Sequence, residues 1–159
     1  VGKLVIVADD PVTGTDKHNV SGTTTTSPPV AYTGVGDYAY NGSMTGSLSD
    51  FVTVDGTAVA LVSSESSLNP GEDAPGGGHD GLSGSNFVLP IVDTSKPITI
   101  TDSPLGKGTP GSGAGSGVLT VDGVKVLLDA DKIDTCDGLG VPGNSSVAAS
   151  GQDFVTCSE

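Results

Sequence analysis

The chain has two histidines and two cysteines, His18, His79, Cys136 and Cys157. Two imidazole nitrogens and two thiolates make the tetrahedral donor set that a structural Zn²⁺ takes. Neither a C-x₂-C nor an H-x₃-H pair is present, so sequence spacing alone leaves three readings open. All four residues close one zinc site, or Cys136 and Cys157 form a disulfide in an oxidising compartment, or two free thiols accompany two surface histidines. A closed four-ligand site keeps no position for a substrate water, so its metal would be structural rather than catalytic.

Other chemistry finds little support. No G-x-S-x-G elbow gives any serine a nucleophile's setting, and Gly106-Lys107 lacks the upstream glycine of a phosphate-binding loop. Asp129, Asp131 and Asp134 fall near the spacing of a calcium loop. Ile133 takes its fifth position, Asp134 replaces the sixth-position glycine and no Glu follows at the twelfth, so the stretch reads as a solvated acidic turn. The pairs Asp9/Asp10 and Glu72/Asp73 read as loop charges. Asn19, Asn41 and Asn144 head N-x-S/T sequons, which matter only on a eukaryotic secretory route.

Positioning such ligands falls to β-structure. Segments rich in β-branched residues and bounded by Gly, Pro, Asn and Asp recur along the chain: "KLVIVA", "FVTVDGTAVALV", "NFVLPIV", "PITIT", "GVLTVDGVKVLL" and "DFVTC". Thr-Val-Asp-Gly occurs at Thr53–Gly56 and again at Thr120–Gly123, an offset of 67 residues, and Asp-Gly between β-formers predicts a type I′ hairpin at each. Around these hairpins "LVIVADDPVTG" matches "ITITDSPLGKG", "HDGLSG" matches "CDGLGV", and "NFV" at Asn86 echoes "DFV" at Asp153. The chain therefore reads as one domain over residues 1–159, made of two diverged units at about 1–93 and 94–159. The tracts "SGTTTTSPP" and "GKGTPGSGAGSG" precede each hairpin and read as ordered wide loops. A pseudo-twofold relation between the units would bring His79 and Cys136 together, with His18 and Cys157 beside them.

Composition sets the outer bounds. At 35% hydrophobic and 4% aromatic residues, with no Trp, the core must be built of small aliphatics. A net charge of −13 argues against nucleic acid or an anionic membrane as partner. No apolar run approaches the ~20 residues of a membrane helix. Val1 fits a cytosolic start after removal of an initiator Met, and equally a trimmed chain.

The pairing of "SDFVTVDGTAVALVSSESSLNPGED" with "GVLTVDGVKVLLDADKIDTCDG", and the final "DFVTCSE", resembles the PAAR-repeat proteins over nearly the whole chain. The likeness is strongest to the PAAR-like tip proteins of phage-tail-like contractile injection systems. It implies an all-β, cone-shaped domain with a zinc-fixed point and a base seated on a trimeric VgrG-like β-helical spike at the baseplate hub. His79 and Cys136 would then be one ligand position in two repeats, and His18, His79, Cys136 and Cys157 would hold one structural Zn²⁺ per chain. The family's usual set is three His and one Cys, and its Pro-Ala-Ala-Arg is replaced here by "GTAVAL" and "GVKVLL".

The implied function is mechanical: a non-enzymatic point made in a bacterial cytoplasm, carried at the tip of the particle and driven into a target cell envelope. Any effectors would travel elsewhere in the particle. One copy on a threefold spike implies a symmetry mismatch, with the apolar, strand-edged base facing the spike and the rings of Phe51, Phe87 and Phe154 available to that base or to the core. The competing class is an extracellular, disulfide-stabilised β-domain serving as an adhesin or capsid-decoration module.

Overall fold

A computed structural model describes residues 2–23, 27–69, 79, 81–87, 98–103, 105–136 and 139–158. The described residues form thirteen strands and one 3₁₀ turn at Gly81–Ser83, with no α-helix among them. None is therefore long and apolar enough to cross a membrane as a helix. The strands are β1 (Lys3–Leu4), β2 (Pro11–Thr23), β3 (Ala31–Gly46), β4 (Thr53–Val54), β5 (Thr57–Ala58), β6 (Glu65–Leu68) and β7 (Ile98–Ile100). They continue with β8 (Lys107–Pro110), β9 (Thr120–Val121), β10 (Val124–Lys125), β11 (Lys132–Thr135), β12 (Ser145–Val147) and β13 (Thr156–Cys157).

Both Thr-Val-Asp-Gly segments are hairpins, β4–β5 and β9–β10. Asp55 and Gly56 have φ of 48° and 82°, and Asp122 and Gly123 have 50° and 79°, the left-handed pair that a type I′ turn requires. The 67-residue offset carries on into β6 and β11, which begin at Glu65 and Lys132.

A third copy joins these two, built from both ends of the chain. β1 pairs with β13 as β5 pairs with β4 and β10 with β9. The N–H of Val5 donates to Val155 O, that of Val59 to Val52 O and that of Val126 to Leu119 O, at 3.0–3.1 Å. The sequence echo of "DFV" at Asp153 thus belongs to Asp50–Val52 rather than to Asn86–Val88. Of the expected strand "NFVLPIV", residues 88–92 lie outside the described residues.

After each hairpin the three segments meet on one axis. Ile6 N–H donates to Leu127 O, Leu127 N–H to Ala60 O and Ala60 N–H to Ile6 O, at 2.9–3.0 Å, and all three side chains are fully buried. Each chain then turns under the same kind of cap. Asp10 Oδ2 accepts from Val7 N–H, Ser64 Oγ from Leu61 N–H and Asp131 Oδ2 from Leu128 N–H, at 2.8–2.9 Å. The expected acidic turn at Asp129–Asp134 is therefore structural: Asp129 Oδ1 accepts from Ala149 N–H and Asp131 Oδ2 also from Gly115 N–H.

Beyond the caps, β2, β6 and β11 rise as equivalents. Each pairs with the next strand of its own copy, β3, β8 and β12. The order β12-β11-β8-β6-β3-β2, closed by β12 on β2, is a six-stranded antiparallel barrel with pseudo-threefold symmetry, and β7 adds to the outside of β2. Closure leaves no free edge within the barrel.

Its interior holds Ile6, Val12, Tyr40, Met44, Leu68, Leu127, Ile133 and Val147. Below it the hairpins bury a valine-rich cluster, and above it Val20, Tyr32, Tyr38 and Ile98 make a third, against which Phe87 packs. The tracts expected as wide loops are partly strand: Ser21–Thr23 ends β2, and Lys107–Pro110 is β8.

Candidate metal centre

β2 and β3 run past the barrel rim as a long two-stranded ribbon in continuous register from Pro11↔Ser43 to Thr23↔Ala31. Residues two apart on a strand share a face, so Val12, Asp16, His18 and Val20 all point inward, and all are buried. Asp16 and His18 enter the space between the barrel core and the upper cluster. Cys136 arrives from the end of β11, with φ of 39°, and is buried against the barrel core. His79 arrives from the connection between β6 and β7.

Glycines make room for that connection. A Cβ on Gly81 would lie 2.0 Å from Ile98 O, and one on Gly84 would lie 2.6 Å from the Tyr38 ring. The segment therefore presses against β7 and the ribbon, and Tyr38 Oη donates to Gly81 O at 3.0 Å. Tyr38 also packs on both imidazoles, with centroid separations of 5.4 Å.

Asp16, His18, His79 and Cys136 are all buried, and one potential ligand atom from each lies within 4.8 Å of the other three. His79 Nε2 is 3.0 Å from Asp16 Oδ2 and 3.6 Å from Cys136 Sγ, and His18 Nε2 is 4.0 Å from Asp16 Oδ2. Ligands at ordinary Zn–N, Zn–O and Zn–S lengths, tetrahedrally arranged, stand roughly 3.3–3.8 Å from one another. The observed edges bracket that range.

The donor chemistry also fits a cation. His79 Nε2 faces both a carboxylate and a thiol, yet carries at most one hydrogen. Both nitrogens of His18 are buried, and Nε2 has no hydrogen-bond partner. Leaving buried polar atoms unpaired is costly, and a bound metal removes that cost at His18 Nε2. Its Nδ1 lies 3.5 Å from Asp102 Oδ2, the carboxylate–histidine arrangement that fixes a ligand's tautomer.

Asp16 is held to offer one oxygen. Its Oδ1 accepts from Thr135 Oγ1 and Asn144 Nδ2, which leaves Oδ2 for the site. Asn144 Oδ1 in turn accepts from Thr135 N–H at 2.9 Å, and Thr135 Oγ1 meets Ser145 Oγ at 2.7 Å. Gly106 N–H donates to Cys136 Sγ at 3.0 Å.

Burial sets the charge states. Desolvation pulls the His18 imidazole below its usual 6.5, against the opposing pull of Asp102 and Asp16, which favours the neutral ligand form. Desolvation, reinforced by the Asp16 charge, pushes the Cys136 thiol well above its usual 9.0. Without a cation this thiol is inert. A catalytic Cys-His-Asp relay is also disfavoured, because thiol and carboxylate converge on the same nitrogen of His79 rather than on opposite ones. Bound here, zinc would supply four strong bonds that tie β2, the His79 segment and the end of β11 together.

Three of the four residues expected as ligands are thus brought together. The fourth, Cys157, lies apart from them, in β13 beside the valine-rich cluster, with Sγ 3.2 Å from Ser116 Oγ. By register it is the third copy of Val54 and Val121, which explains its place in the core. Asp16 is the fourth residue of the buried group that could hold a metal. The alternative Cys136–Cys157 disulfide is not formed, since both thiols are free and belong to different clusters. His79 and Cys136 meet without being equivalents, because Cys136 follows β11 as Asn69 follows β6.

Asp16 carried a sequence signal, since D-x-H on one strand places both side chains on one face. Comparison with protein-family models, curated proteins and solved structures finds no match.

Proposed function

We propose that this chain is the structural tip of a contractile injection particle. One copy caps the trimeric β-helical spike, narrows it to a point and leads it into a target envelope, without making or breaking a covalent bond. The observation that carries this reading is the pseudo-threefold arrangement of the three hairpins and their axial amide cycle. A trimer presents three identical edges about one axis. A single chain that repeats one hairpin three times about an axis can meet all three alike, so the mismatch expected of a two-unit chain is relieved.

Stiffness supports the same reading. The barrel is closed, and the four buried donors come together from segments far apart in sequence. A zinc bound there, at the end of the barrel away from the hairpins, holds the part of the molecule that would strike first.

The test is co-expression with the trimeric spike subunit of the same particle, followed by native mass spectrometry. One chain per spike trimer is expected. Separate migration of the two proteins at micromolar concentration would overturn the assignment.

A further inference from the structure

The three hairpins end in one face. Phe51, Val118 and Phe154 occupy the same position in the three copies, two residues before Thr53, Thr120 and Thr156, and are 71%, 70% and 63% exposed. A single exposed apolar side chain is ordinary, but three at one repeated position make a patch. Beside Phe154 opens a cavity of about 340 Å³ walled from all three copies, by Val54, Val121 and Val155 among others.

Acidic side chains flank this apolar floor. Asp50 and Asp153 directly precede the two phenylalanines, and Asp55 and Asp122 sit at the hairpin tips; all four are exposed. The two lysines of the same hairpins turn to the flanks. Lys125 runs along Gly115, and Lys3 lines a cleft with Asp131 and Asp134.

We infer that the trimer end seated on this face bears an axial apolar plug inside a collar of Lys or Arg. The inference rests on the spike-tip reading and adds to it the chemistry of the partner's end. Residues on a trimer's axis come in threes, which suits a cavity centred on a pseudo-threefold. Four carboxylates at the rim repel an acidic end and select a basic one. They also disfavour a second copy of this chain, which carries the same rim.

The experiment measures binding to the spike subunit of the same particle by biolayer interferometry, for the wild type, for Phe51→Ser with Phe154→Ser, and for Asp50→Lys with Asp153→Lys. All four positions are exposed, and unchanged melting curves and metal content show that the variants fold. The serine pair should weaken binding by about 100-fold. The lysine pair should weaken it by about 10-fold, and added salt should weaken the wild type, as opposite charges in contact require.

Binding that survives both pairs of changes overturns the inference while leaving the tip assignment standing. Binding that is lost with serine but indifferent to charge and salt overturns the basic collar. A wild type that ignores the spike, or self-associates through this face in sedimentation, sinks both readings.

Discussion

Asp16 decides which metal set is correct at the level of single residues. Chelator-washed protein should retain about one zinc per chain by mass spectrometry. Cys157→Ser should keep it, whereas Cys136→Ser and Asp16→Ala should lose it; the reverse result would restore the set expected from the sequence. Asp102 acts through His18 rather than on the metal, so Asp102→Asn should lower zinc affinity by about 10- to 100-fold in a chelator competition, without abolishing binding. The metal-free protein has its own pH window. Folding depresses the His18 pKa, so that contribution is present above 6.5 and is lost as pH falls below it. Folding raises the Cys136 pKa, so its contribution is present below 9.0 and is lost as pH rises past it. Urea midpoints of the chelated protein should therefore be highest between about pH 6.5 and 9.0 and fall on either side. His18, His79 and Cys136 were legible as soft donors, because these types are scarce in the chain. Asp16 was not, because it is one carboxylate among 19 acidic residues and only its strand partner marks it.

The element scale shows why some strands were visible and others hidden. Asp-Gly turns gave away β4–β5 and β9–β10, since few residue pairs tolerate two left-handed positions in a row. The β2–β3 ribbon escaped because its inward positions include Gly14, Asp16 and His18. The residues that build the site break the apolar alternation by which its strand would be recognised. The third repeat was written twice, as "DFVTV" at Asp50 and "DFVTC" at Asp153, but lay split between the chain's two ends. The caps offer a direct energetic test. Ser64→Ala leaves the buried Leu61 N–H unpaired and should cost about 1–3 kcal/mol in urea unfolding. Asp10→Ala should cost more, because Asp10 accepts from Val7, Ser150 and Gly151 N–H groups together.

For the whole molecule, closure depends on the last strand meeting the first. Removing residues 152–158 takes away the partner of β1 and the Gln152 side chain, whose Oε1 accepts from Phe154 and Val155 N–H and whose Nε2 donates to Val5 O. The truncated chain should melt well below the full chain and lose cooperativity in a thermal scan; an unchanged melt would contradict the three-copy description. The axial cycle has a further consequence for exchange with deuterated water. Ile6, Ala60 and Leu127 each donate to one neighbour and accept from the other on a fully buried axis, so water reaches their amides only when the three segments part. Three protons from distant parts of the sequence should therefore report one and the same opening free energy, among the largest in the molecule and set by unfolding of the whole.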